Sequence, residues 1–297
     1  MKKVILLITI ILLIGNLSSV AKTSTYNFTS EKINSLNIDD DVPIWNIGNY
    51  WTYDIDTLIL DLYQTGQIIS LNLTWEDLKL EVKTKTIESY TIDVTGKITG
   101  SFLYDNGAGI RLAGKLYYNK FSGNIQIRQS DIALEKGDFK LKSIALLKEH
   151  PFPIPIPIPV PITITFNITN NMPRPFIDFP LYNGKMGFIN ETLVSSKILV
   201  ESIVLKILNI ITSSVPSEIN YEYQMNIPEL LYNASVENIT VKAGTFNAYN
   251  IVFYEGLLGS VYYAPLAGNI IKAHAEFTIE DLLNFKFHGE LKNYNYS

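Results

Sequence analysis

Hydrophobic and polar positions alternate with period two over most of the chain. Leu78, Leu80 and Val82 alternate with Lys79, Glu81 and Lys83, and Tyr90, Ile92 and Val94 with Thr91, Asp93 and Thr95. Gly96, Gly100, Asp105-Asn106-Gly107, Gly114, Gly123 and Gly137 punctuate this stretch at turn-like intervals. The pattern predicts an antiparallel meander over 78–147 with one packed face and one charged, wet face. Near the C-terminus, Ile271, Ala273, Ala275, Phe277 and Ile279 alternate with polar residues, as do Leu283, Phe285, Phe287 and Leu291. These two runs are expected to pair as a hairpin with Lys272 opposite Glu290 and Glu276 opposite Lys286. Opposite charges across strands contribute about 0.2–1 kcal/mol per pair.

Residues 151–169 follow the same period in a different composition. Proline occupies positions 151, 153, 155, 157, 159 and 161, while the even positions are Phe152, Ile154, Ile156, Ile158, Val160, Ile162, Ile164, Phe166 and Ile168. A polyproline II helix turns every three residues and would scatter these side chains, whereas a β-strand gathers them on one face. The prolines all lack a donor on the same edge, which predicts an edge strand blocked against further pairing. A Pro-rich linker between two halves is the alternative reading.

The segment 193–212 reads as one long helix. Thr192 is placed to cap it, Lys197 and Glu201 stand at i,i+4, and Leu199, Val200, Ile203, Val204, Ile207, Ile210 and Ile211 share a broad face. Lys197, Glu201 and Lys206 argue against a membrane span, since each costs about 2.5–3.5 kcal/mol near mid-membrane; lying at a membrane surface stays open. The expected fold is therefore mainly β (β-rich α+β): a curved antiparallel sheet or half-barrel with one long amphipathic helix on its concave face. Incomplete coverage of that face would leave an apolar groove, with Ile154, Ile156, Ile158, Leu199, Ile203 and Ile207 as its ligand-binding candidates.

The ends of the chain set the compartment. Lys2 and Lys3, the apolar run Val4–Ile14 and the small residues Ser19-Val20-Ala21 read as a secretory signal over 1–21, with an uncleaved signal anchor as the alternative. Residues 22–42 form a polar lead-in, and 43–297 a single β-rich domain. Removal of the signal leaves 22 basic residues against 29 acidic. That balance disfavours nucleic acid as a partner. Asn-x-Ser/Thr sequons at Asn72, Asn167, Asn190, Asn233 and Asn238 are glycosylation candidates, with two more at Asn27 and Asn295. Hydrophobic residues make up 47% and charged residues 18%, so a disordered chain is excluded. The absence of cysteine excludes disulfides, Cys-ligated metals and thiol catalysis.

Candidate chemistry is sparse. The expected hairpin sets His274 beside His288, a two-imidazole metal pair or, more blandly, two solvated residues in a ladder of charges. No G-x-S-x-G, H-E-x-x-H or P-loop motif is present. Glu222, Glu229 and Asp281 illustrate carboxylates available for a glycosidase-type dyad, but no spacing selects them. No cofactor is implied.

Two constellations carry a resemblance. Trp45-x-x-Gly48-x-x-Trp51-x-Tyr53 opens the domain; Ala243-Gly244-Thr245-Phe246 and Tyr262-Tyr263-Ala264-Pro265-x-x-Gly268 come late. Gly244 reads as a tight turn between 239–243 and 246–254, and Ala264-Pro265 to Gly268 as a second turn. Together these motifs resemble a group of uncharacterised exported envelope domains, themselves similar to the lipoprotein-carrier type of fold. That resemblance implies a strongly curved antiparallel sheet whose concave apolar face holds acyl chains in some members. It transfers no binding residue. The expectation is thus an exported, secreted or cell-surface envelope protein without catalytic activity, close to a membrane and binding a lipid or polyisoprenoid. The alternatives are a structural or adhesive surface glycoprotein and, behind it, an extracellular hydrolase.

Overall fold

The computed structural model describes residues 41–64, 67–105, 107, 111–149, 157–175, 177–211, 217–227, 229–254, 258–279 and 283–297. The expected signal and nearly all of the lead-in, and Ile154 and Ile156 of the Pro-Ile stretch, lie outside them. Five long strands follow one another: β1 (Tyr50–Gln64), β2 (Gln67–Lys85), β3 (Ser89–Asp105), β4 (Arg111–Arg128) and β5 (Leu134–Glu149). Then come β6 (Ile158–Asn170), β7 (Met186–Ile189), β8 (Thr192–Ser202), a short helix α1 (Ile203–Ile211), β9 (Glu218–Ile227) and β10 (Leu230–Val241). The chain ends with β11 (Gly244–Tyr254), β12 (Leu258–Ala264), β13 (Asn269–Ile279) and β14 (Leu283–Asn295). All pair antiparallel in one 14-stranded sheet, in the order β7-β10-β11-β12-β13-β14-β1-β2-β3-β4-β5-β6-β8-β9.

That order is linear in hydrogen bonds, but the chain joins its two ends twice. Ile189 of β7 is three residues from Thr192 of β8, and Ile227 of β9 three from Leu230 of β10. Three virtual bonds span at most about 11 Å. The same four residues are paired, Ile189 with Leu230 and Thr192 with Ile227. β7 and β8 are therefore two halves of one bent strand, and β9 and β10 of another, so the sheet curls until its ends meet. Barrel corners are made by such bends. The larger of two buried clusters takes side chains from β1–β8 and β10–β14 at once, as a curled sheet requires. The half-barrel expectation thus falls short: the curl continues into a closed, barrel-like ring of twelve staves.

Two bulges keep the apolar face inward along the longest strands. Trp51, Tyr53 and Ile55 point in, the β1–β14 register slips between Ile55 and Thr57, and Leu58 and Leu60 then point in. In β2 the inward set changes from Leu73 and Trp75 to Leu78, Leu80 and Val82 across a slip between Glu76 and Lys79, where Asp77 has φ of 51°. Each extra residue restores the side-chain phase that a strict period of two would lose.

The antiparallel meander forms, but not with the punctuation read: Gly96, Gly100, Gly114, Gly123 and Gly137 lie inside β3, β4 and β5, and only Asp105-Asn106-Gly107 marks a connection. Both late turns and the C-terminal hairpin form as read, with Lys272 opposite Glu290, Glu276 opposite Lys286 and His274 opposite His288. Lys286 and Glu276 make an ion pair at 2.5 Å, while Glu290 lies 3.6 Å from Lys242. Two further expectations fail. The segment 193–212 is not one helix: it is strand β8 as far as Ser202 and helix for nine residues only. Thr192 accordingly opens a strand, its Oγ1 lying 2.7 Å from Asn170 Oδ1 and 2.6 Å from Met172 O, and Lys197 pairs across the sheet with Glu222 at 2.7 Å rather than along a helix with Glu201. The period-two set Val194, Ser196 and Ile198 is buried because β6 supplies a hydrogen-bonding partner for it.

β6 is also no edge strand. It pairs with β5 along Ile158–Thr169 and with β8 from Ile162 to Asn170. Pro159 and Pro161 fall where β6 has a pairing partner on one side only, so missing donors limit the length of the second pairing without preventing it.

The concave side is covered by the connection between β6 and β7 rather than by a long helix. Ile177 and Leu181 are buried in the main core, and Phe179 meets Tyr263 edge-on at 5.3 Å. Lys185 anchors this connection, its Nζ 3.0 Å from the Asp178 carboxylate and donating to Pro180 O at 2.8 Å. Eight-stranded barrels are just wide enough to be filled by side chains; into this wider ring reach aromatics, this connection and α1.

Candidate functional site

One end of the barrel is sealed. Trp45 Nε1 donates to Gly268 O at 2.8 Å, Trp51 Nε1 to Ala267 O at 2.7 Å, and Tyr53 Oη to Ile270 O at 2.8 Å. The two motif regions that carry the family resemblance are thus hydrogen-bonded to each other across more than 200 positions. Burial pushes the Tyr53 phenol far above its ordinary pKa, so it remains a donor. Gly268 has φ of 59°, and a Cβ there would lie 2.4 Å from the Tyr296 ring. A pocket of about 40 Å³ between Trp45, Phe179 and Tyr263 has room for about one water.

The barrel interior beyond this seal is mainly apolar, with a few buried polar residues such as Ser143 and Ser196. An aromatic row crosses it: Trp75 edge-on to Phe121 at 5.7 Å, Phe121 stacked on Phe139 at 5.7 Å, and Phe139 on Phe166 at 6.0 Å. Gly123 and Gly137 make room for the Phe139 ring, which a Cβ would approach within 2.5 and 2.6 Å. Trp75 is 3% exposed, and its Nε1 has no hydrogen-bond partner. Asn119, in a stretch of β4 where pairing to both neighbours slips, has its amide nitrogen and oxygen buried and likewise unpartnered. Asn119 is itself only half-buried and lies two residues after the outward Tyr117. The indole donor of Trp75 is held in an apolar enclosure, where an unmade hydrogen bond costs about 1–3 kcal/mol.

At the opposite end from the seal, α1 connects β8 to β9. Ser202 caps it, its Oγ accepting the Val204 N–H at 3.2 Å. Val204 and Leu205 are buried in the core, while Ile203, Ile207 and Ile210 are 58%, 43% and 84% exposed. Of the six groove candidates, Ile203 and Ile207 stand together on this outward stripe. Ile158 opens β6 opposite Leu147. Leu199 lies in β8 on the face of Lys197 and Glu201, away from the buried Ile198, so it does not line the interior. No helix among the described residues is long and apolar enough to cross a membrane.

The outer face is mainly polar, apart from an exposed row of Phe188, Leu231 and Tyr254 across β7, β10 and β11. Lys242, in the β10–β11 turn, reaches Asp54 at 3.2 Å and Asp56 at 3.6 Å, and Lys292 reaches Asp77 at 2.8 Å. Burial raises the Asp54 pKa, but the Asp77 N–H and the two ammonium groups outweigh it and hold the carboxyl below its ordinary value. The His274 and His288 rings meet edge-on at 6.3 Å, with His288 Nδ1 3.6 Å from Asp56 Oδ2. Among the described residues no group of three His, Asp or Glu is arranged to hold a metal ion. Glu222 accepts from Lys197, which lowers its pKa, the reverse of what a general acid requires. Glu229 is exposed, and Asp281 lies outside the described residues.

Asn72, Asn190 and Asn238 are exposed, Asn167 and Asn233 half-buried. Asn167 opens into a depression of about 760 Å³ across β5, β6, β8 and β9, which Asp138, Thr169, Ser195, Lys197 and Glu222 also line. Neither this depression nor the unpartnered Trp75 and Asn119 was legible in the sequence. Trp75 shares the period-two phase of Leu71 and Leu73, a usable inward signal, whereas Asn119 has none. No family model, curated protein or solved structure matches this chain.

Proposed function

We propose that this protein is an exported, non-catalytic cell-envelope protein that holds a hydrophobic molecule, such as a lipid or polyisoprenoid, inside its barrel. The observation that carries the reading is Trp75 Nε1, a hydrogen-bond donor left unpartnered within an apolar, aromatic-lined interior. An amphiphile offers what that interior lacks, an acceptor for the indole N–H, on a molecule that is otherwise apolar. The outward stripe of Ile203, Ile207 and Ile210 supports the α1 end as the entrance. The secretory signal read in residues 1–21 and the resemblance to lipoprotein-carrier-type domains support the same conclusion.

Native mass spectrometry of protein from its own source tests it, together with displacement of a fluorescent fatty-acid probe. The expected result is a co-purifying hydrophobic mass and probe binding that Trp75→Phe weakens by about tenfold, one lost hydrogen bond's worth. Ligand-free native protein that ignores the probe overturns the proposal. A structural or adhesive surface glycoprotein is the second reading, favoured by the exposure of Asn72, Asn190 and Asn238 on the polar outer face.

A further inference from the structure

The outer depression around Asn167 has an occupant written into the sequence. Asn167-Ile168-Thr169 is a sequon lying within strand β6, and the period of two puts Asn167 and Thr169 on the same outward face. Strand pairing then extends two polar rows sideways from them. One row runs Asp138, Asn167, Lys197, Glu222, and the next runs Lys136, Thr169, Ser195, Gln224. All but Lys136 line the depression. Across it stand carboxylates, an ammonium, amides and hydroxyls, the mixture of donors and acceptors that the vicinal hydroxyls of a sugar satisfy.

We propose that Asn167 is glycosylated and that the attached sugar lies in this depression, seated against β8 and β9. The inference rests on the exported reading above. In the modification, Asn167 Nδ2 bonds to C1 of a sugar supplied as a lipid-phosphate conjugate. The C1–O bond to phosphate breaks, the nitrogen gives up one of its two protons, and the lipid phosphate leaves as the group that takes up that proton. The remaining N–H is already committed: Nδ2 donates to Asp138 Oδ1 at 2.5 Å. That bond survives modification and fixes the direction in which the sugar leaves the amide. Neighbouring strands lie about 4.8 Å apart, so the first sugar meets Lys197 and the second reaches Glu222 and Gln224, about 10 Å away. The existing contacts Lys197 Nζ to Glu222 Oε1 and Asn171 Nδ2 to Ser195 Oγ, both 2.7 Å, hold the seat in shape before a sugar arrives. Asn72, Asn190 and Asn238, exposed by comparison, serve as internal controls.

The test is site mapping by mass spectrometry on protein purified from its own source, before and after mild periodate oxidation of the folded protein. The sugar at Asn167 is expected to be present and to oxidise about tenfold more slowly than sugars on the exposed sequons, because its diols are reached only on local opening. Lys197→Ala combined with Gln224→Ala is expected to remove that protection while leaving occupancy unchanged. Thr169→Ser keeps the modification, and Thr169→Ala loses it. Sugars at the exposed sequons with none at Asn167, or equal oxidation rates at all sites, overturn the seat and leave the exported reading standing. No sugar at any sequon overturns the seat and the glycoprotein reading together.

Discussion

The two ends of the barrel are built from different kinds of contact. At the sealed end, Trp45 and Trp51 are 2% and 0% exposed, their rings lie 5.0 Å apart, and their polar tips are spent on backbone carbonyls of the β12–β13 turn. Every polar atom named there has a partner. At the α1 end, a helix of nine residues buries Val204 and Leu205 and turns three isoleucines to solvent. Satisfied polar groups and buried rings are the mark of a part that only has to be stable. Single apolar side chains are exposed at the sealed end too, Ile44, Ile47 and Leu266 at 68%, 66% and 69%, so what sets the α1 end apart is that its isoleucines form one stripe along a helix.

That contrast is open to direct attack, the largest effect first. Trp51→Ala is expected to cost about 3–5 kcal/mol, from a cavity in the smaller core and an orphaned Ala267 carbonyl. Chemical denaturation measures it; a loss below about 1 kcal/mol would mean the seal is not what holds this end. Gly268→Ala is expected to cost about 1–3 kcal/mol, since a left-handed residue would acquire a Cβ against Tyr296. The same unfolding curves report it, and an unchanged midpoint would contradict the close approach.

Acid tests the outer face between the ends. Asp54 has a folded pKa below its unfolded one, so its contribution is fully present above the ordinary carboxylate range. It is lost as pH falls through that range toward the depressed value. Thermal unfolding between about pH 7 and pH 3 should show stability falling with acidity, and Asp54→Asn should flatten part of that slope. A slope unaffected by the substitution would leave the Lys242 and Lys292 contacts without thermodynamic weight.

The smallest stability effect belongs to the other end. Ile203→Ser with Ile207→Ser should change unfolding free energy by about 1 kcal/mol per site, because the two side chains are 58% and 43% exposed and lose only part of a buried side chain's contribution. The same pair should abolish entry of the fluorescent fatty-acid probe. A strongly destabilised but still binding variant would reverse the assignment of the two ends.

Much of the fold was legible where local pattern and pairing agreed. The β13–β14 register followed from charges on alternating positions, because a one-residue slip would turn Phe285 and Phe287 to the other face and set Lys272 and Glu276 opposite uncharged residues. The β10–β11 turn followed from Gly244, whose φ of 136° few other residues adopt. The segment 193–212 was misread for a physical reason. Val194, Ser196, Ile198 and Val200 fit a strand as well as a helix, and a short apolar run does not separate the two periods. The open side of β6 decided it, and no local signal announces a partner edge. The groove candidates erred with it: on a helix Leu199 joins Ile203, but on a strand it faces the opposite way.

By itself, the sequence determined which faces are apolar, where the two late turns fall, and that the chain carries no cysteine chemistry and no familiar catalytic motif. Period, charge and turn residues are local quantities, and a linear chain displays them directly. Only the tertiary structure decided that the sheet curls until its ends meet, that Trp45, Trp51 and Tyr53 clasp a turn more than 200 residues away, and that Trp75 is left without a partner inside. Those facts depend on which distant groups meet and which fail to. Hydrogen-bond satisfaction is a property of the whole enclosure, and no window of sequence contains it.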